Sequence, residues 1–192
     1  MVSGEAAGRQ FVVITDAGSP LEVLARQRRV RHVFVHGLGS GLDVGGRFSA
    51  LTYFGLVPAA LLGVDLSRLL SRAAVALQAC GPSAGWGDNP AAQLGISLAE
   101  AAADGRDKVT LLSAPALAAF EPWVEQLVAE STGKSGRGLV PILNEEPREA
   151  ARYPKDRVFV AMHSLDAPDP QLARLIETLS AAGHPVIHLT WP

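Results

Sequence analysis

Residues 105–143 read GRDKVTLLSAPALAAFEPWVEQLVAESTGKSGRGLVPIL, and the fold class turns on this stretch. A β-branched apolar run occupies 109–112. A helical pattern follows over 117–131, with Phe120, Val124, Leu127 and Val128 on one stripe. Gly133 stands where that helix should stop, and a second apolar run fills 139–143. Strand, helix, strand is the unit of a parallel sheet whose members are apolar enough to be covered on both faces.

The same alternation continues in both directions. Further strands are expected at 11–15, 32–35, 157–162 and 185–191, and helices at 20–27, 49–62, 66–79, 91–103 and 169–182. Several of these helices open on Pro, Ser or Asp and end at Gly63, Gly81, Gly105 or Gly183. The chain between 64 and 105 holds two helices and no strand, which predicts a helical insertion beside the sheet. Residues 81–90, GPSAGWGDNP, crowd turn-forming side chains into one loop, a connector or a lid. The pattern predicts an α/β fold with a doubly wound parallel sheet flanked by helices.

Composition narrows the function. The chain has 192 residues, 48% of them hydrophobic and 19% charged, enough for one sizeable core. Seventeen Lys and Arg against nineteen Asp and Glu give a net charge of -2, so nothing points to nucleic acid or an anionic membrane as partner. Cys80 is the single cysteine and cannot form an internal disulfide, and no Cys/His cluster has zinc spacing. The first ten residues contain Glu5 and Arg9 without an apolar core, which argues against a signal peptide. The longest apolar stretch, 51–64, is interrupted by Gly55, Pro58 and Gly63 and is too short to span a bilayer. A cytoplasmic protein is expected.

Two groups of residues could carry chemistry. Asp43-Val44-Gly45-Gly46-Arg47-Phe48-Ser49 leads into an apolar helix. Its paired glycines let the backbone approach a ligand, Arg47 could hold a negative oxygen, and Ser49 is the expected helix cap. Read alone, the group is more simply a tight turn with a solvated arginine. In the second group, Gln126 and Glu130 lie four apart, on a different helix face from the core stripe. A glutamate at a helix end beside an amide can move a proton between adjacent carbons; alone, it is also an ordinary solvated glutamate.

Together, DVGGRFS followed about eighty residues later by EQLVAESTGK resembles the glucose-6-phosphate isomerase family. FVVITDAGSPLEVLA (11–25), SALTYFGLVPAALLGVD (49–65) and GRDKVTLLSAP (105–115) extend the resemblance, which is strongest to the isomerase portion of fused transaldolase/glucose-6-phosphate isomerases. The resemblance implies an SIS-type α/β/α fold, with residues 1–48 ending a first SIS domain and its linker and 49–192 forming a second. It implies interconversion of glucose 6-phosphate and fructose 6-phosphate through a cis-enediolate, without a metal or redox cofactor. Glu130 matches the proton-transfer base, Arg47 the arginine facing the enediolate, and Gln126 and Gly46 residues at the substrate.

The family's Ser/Thr-rich phosphate loop and its carboxy-terminal lysine segment have no counterpart in this sequence. A fragment of a larger enzyme, acting as a homodimer or with the missing segments, is therefore expected. A non-catalytic SIS-like module that binds sugar phosphate or supports assembly is the alternative. His163 lies at a loosely similar distance to the family's ring-opening histidine, amid different residues, and reads equally as a strand-end surface histidine. GLGSG at 37–41 leads into another glycine turn rather than a helix, which argues for a linker and against a dinucleotide site.

Overall fold

The computed structural model describes residues 8–36 and 44–191, with His36 described by its backbone alone. The glycine run 37–42, Asp43 and the first seven residues lie outside the described residues. Contacts divide the chain into two compact units, Met1–Ala76 and Leu77–Pro192.

In the first unit, β1 (Val12–Asp16) and β2 (His32–His36) pair in parallel, with Val12 opposite His32 and Asp16 opposite His36. Helix α1 (Pro20–Gln27) connects them. Its start is written in SPLE: the Ser19 hydroxyl accepts from Glu22 N at 3.1 Å, Pro20 fixes the first turn, and Glu22 Oε2 accepts from Gly18 N at 2.8 Å. That backbone donor, followed by the Arg26 guanidinium, holds the Glu22 carboxyl below its ordinary range. Helices α2 (Tyr53–Leu61) and α3 (Leu66–Ala79) follow, α3 running past the division between the units.

Ser49 is not the cap of α2. Its hydroxyl donates to Gly46 O at 2.7 Å and closes a 3₁₀ turn, Gly46–Phe48. Thr52 takes the capping role, accepting from Phe54 N at 3.3 Å, so the helix begins four residues later than its apolar run suggests. Gly55 permits this entry, because a Cβ there would lie 2.0 Å from Ala50 O.

The second unit is built on a four-stranded, all-parallel sheet in the order β4-β3-β5-β6, from β3 (Lys108–Ser113), β4 (Val140–Ile142), β5 (Arg157–Ser164) and β6 (Val186–Trp191). Period-two alternation sorts its side chains. Val109, Leu111, Val158, Val160 and Met162 face Leu98 and Ala101 of α4 (Pro90–Ala103) and Val124 of α5 (Glu121–Thr132). Phe159 and Ala161 face the other way, onto Leu172, Ile176 and Leu179 of α6 (Pro170–Ala181). Helices therefore cover both faces, the expected three-layer arrangement. Coverage is fullest on β5, whose residues 158–162 are all buried; β6 alternates between half-buried and exposed positions. Arg157 ties the layer together through Nη1 to Thr110 Oγ1 on β3 at 2.9 Å and to Glu145 Oε2 after β4 at 2.5 Å.

The expected helical insertion is present as α3 and α4, with no strand between them, and Gly105 and Gly183 end their helices at φ 82° and 83°. The helix expected over 117–131 begins as a 3₁₀ segment, Pro115–Phe120, and becomes α-helical at Glu121, where Pro122 fits the first turn. No helix among the described residues is long and apolar enough to cross a membrane.

Candidate active site

Glu130 sits in the last turn of α5, nine residues after the helix's buried first residue, and is exposed. Gln126, one turn earlier, is exposed beside it and donates from Nε2 to Glu130 Oε1 at 3.3 Å. The i,i+4 spacing thus produces a carboxylate oriented by an amide on the helix face opposite the core stripe.

The segment after Glu130 fixes the helix end. Thr132 Oγ1 donates to Val128 O at 2.8 Å and accepts from Leu139 N at 2.9 Å, which joins the last turn of α5 to the entry of β4. Between them, Lys134 and Arg137 exchange both backbone hydrogen bonds, at 2.9 and 3.0 Å, across Ser135 and Gly136 at φ 54° and 73°. That is a two-residue turn with both central residues left-handed. Gly138, at φ 146°, brings the chain back so closely that a Cβ would meet Gly133 Cα at 2.7 Å and Thr132 O at 2.8 Å. The glycines of TGKSGRG are the signal for this buttress, whereas the helical pattern alone singles out only Gly133, as a stop.

Arg47 and Gly46 belong to the first unit. The Arg47 guanidinium lies 4.8 Å from the centre of the Phe48 ring, half-buried, in the 3₁₀ turn that Gly46 opens. Nothing within 4 Å would meet a Cβ at Gly46, so space rather than crowding surrounds it. The pair 46–47 and the pair 126–130 are each defined within their own unit.

His163 is the next-to-last residue of β5, beside Thr190 of β6, and its Nε2 lies 3.4 Å from His188 Nδ1. Among the described residues no group of three or more His, Cys, Asp or Glu could hold a metal ion. One charged residue escapes sequence reasoning. Glu121, at the other end of α5 from Glu130, is only 5% exposed and hydrogen-bonds the Ser113 hydroxyl through Oε1. Its signal is positional: it precedes Pro122, where the 3₁₀ segment after β3 turns α-helical.

Carboxylate, amide and guanidinium are the functional groups of proton transfer next to a carbonyl: a base, an orienting donor and a counter-charge for a developing oxyanion. No family model matches the chain. Comparison with curated proteins finds 38% identity over 133 residues with a probable glucose-6-phosphate isomerase of Haloarcula marismortui, 69% of this chain and 29% of that one. A glucose-6-phosphate isomerase of Parabacteroides distasonis is 34% identical over 143 residues, 73% of this chain and 31% of that one. One of Bacillus cereus is 33% identical over 150 residues, 77% of this chain and 30% of that one. The chain thus spans about three tenths of the length of these relatives.

Proposed function

From the premise that this chain is a homologue of the glucose-6-phosphate isomerases, with an SIS-type α/β fold, we propose that it is the proton-transfer part of an aldose–ketose isomerase acting on glucose 6-phosphate and fructose 6-phosphate. Glu130 takes the proton from C2 of the open-chain aldose, leaving a cis-enediolate, and returns it to C1 to give the ketose. The Arg47 guanidinium neutralises the oxygen on which charge grows, and the backbone at Gly46 admits the substrate close to it. Gln126 orients Glu130 and contacts the sugar. The observation that carries this reading is the Gln126–Glu130 pair, held at a helix end by the glycine turn behind it.

In this reading residues 1–48 end one SIS domain and 49–192 form the next. The phosphate pocket and the ring-opening groups come from segments of a longer polypeptide or from a second copy in a homodimer, and the enzyme works in the cytoplasm.

The test is a coupled assay of fructose 6-phosphate conversion, on the 192-residue chain and on the longest natural polypeptide that contains it, with Glu130→Gln beside each. The variant should lower kcat by about a thousandfold or more while KM and sugar-phosphate binding change little, as expected for loss of a base that acts in the transition state. Undiminished turnover in the variant removes Glu130 from the role. Saturable sugar-phosphate binding with no turnover in any parent polypeptide replaces the enzyme with a binding module.

A further inference from the structure

β3 and β5 are neighbours, yet the helices that follow them lie on opposite faces of the sheet: Val124 of α5 packs on one side, Leu172 and Ile176 of α6 on the other. Chain connections that leave adjacent parallel strands in opposite directions open a crevice at the strands' carboxyl ends. Here that crevice is a cavity of about 460 Å³, within the range of small-molecule sites. Ser113, Glu121, Asn144, Glu145 and Asp169 supply its polar wall, and leucines from β3 and α6 its apolar one.

The three carboxylates in this wall are not equivalent. Glu145 is neutralised by Arg157, at 2.5 and 3.3 Å, and by Arg148 at 3.3 Å. Asp169 caps α6, its Oδ1 accepting from Gln171 N and Leu172 N at 2.8 and 3.2 Å. Among the described residues Glu121 meets neither a cation nor a full set of donors. Ser113 meets one of its oxygens, whereas Oε2 is buried with no hydrogen-bond partner among the described residues. A buried carboxylate oxygen without a partner, lining a cavity, is an acceptor that an N–H donor on a ligand would complete.

We propose that this crevice binds a small organic cation, a primary ammonium or guanidinium group on a short apolar chain, whose N–H groups bond Glu121 Oε2 while the chain lies along the leucine wall. Among the described residues no Lys, Arg or His lines the cavity, so the ligand is chemically unlike a phosphorylated sugar. The site is separate from the Glu130 end of α5, which lies about 13 Å further along the helix axis at 1.5 Å per residue. It therefore stands or falls independently of the isomerase reading.

The probe is n-butylammonium, titrated into the 192-residue chain and followed by backbone amide shifts, with n-butanol as the neutral isostere. Saturation on the order of millimolar is expected, with shifts centred on Ser113, Glu121, Asn144 and Asp169. Butanol should bind at least tenfold more weakly, and Glu121→Gln, which keeps the side chain's shape, should lose at least tenfold in affinity for the cation. Glu125→Gln, on the exposed face of the same helix, should bind as the parent does. Equal binding of butanol, unchanged binding by Glu121→Gln in a variant with the parent's thermal transition, or shifts centred elsewhere overturns the proposal. So does a Glu121 side-chain carbon resonance showing a protonated carboxyl at neutral pH.

Discussion

Gly138 lets the chain turn back against the end of the helix that carries Glu130. Its φ of 146° is closed to side-chain-bearing residues, and a methyl group there would collide with backbone atoms of residues 132 and 133. Gly138→Ala should cost about 2–4 kcal/mol in chemical denaturation and displace the last turn of α5. Gly136→Ala meets only a positive φ with open space around it and should cost about 1 kcal/mol. Equal costs would mean that the close approach of 138 to 133 is not what shapes the helix end. At this scale the sequence is half legible. The Gln126–Glu130 spacing announces a shared face, and the pair is bonded. Ser49 misleads because a hydroxyl has several acceptors within reach, and Gly46 O wins over the helix start. Glu121 stays hidden because glutamate is seldom buried, and only the fold brings it under Ser113.

Among the elements, α6 shows how an apolar stripe converts to stability. Leu172, Ile176 and Leu179 lie on the buried side of the helix, and Leu179 is fully buried against Tyr153 and Phe159. Leu179→Ala should therefore destabilise by about 2–5 kcal/mol through lost burial and the cavity left behind. Leu77→Ala, at a position 73% exposed on α3, should stay within about 0.5 kcal/mol. Urea denaturation of both variants checks the contrast, and a small loss at Leu179 would place α6 outside the core. Elements of this kind are readable in advance: α1 and α3 match their expected spans, since Pro20 and the Gly63 stop punctuate the chain unambiguously. The strand expected over 139–143 is confined to Val140–Ile142, opposite Lys108–Thr110.

Across the whole molecule the two units differ in what secures them. Sheet order arises from pairings between distant segments, and for that reason no periodicity announces it. The Leu77–Pro192 unit encloses β5 between two helical layers, whereas the first unit carries a two-stranded sheet with Phe11 and Val12 60% and 46% exposed. Two strands alone are marginal in water. Hydrogen exchange should accordingly find the slowest amides in Phe159–Met162 and markedly faster ones in β1 and β2; equal protection would show the two units opening together.

The Arg157 link between β5 and β3 has one more consequence, which concerns time rather than strength. Thr110 and Arg157 are 47 residues apart in the chain, and α5 and β4 lie between them. Closing such a loop costs about 2 kcal/mol more in chain entropy than closing a four-residue turn, and the cost falls due before any contact repays it. The central strand pair therefore forms across the chain and not along it, and the molecule's refolding belongs to the milliseconds-to-seconds range of non-local folds rather than to the microseconds of helical bundles.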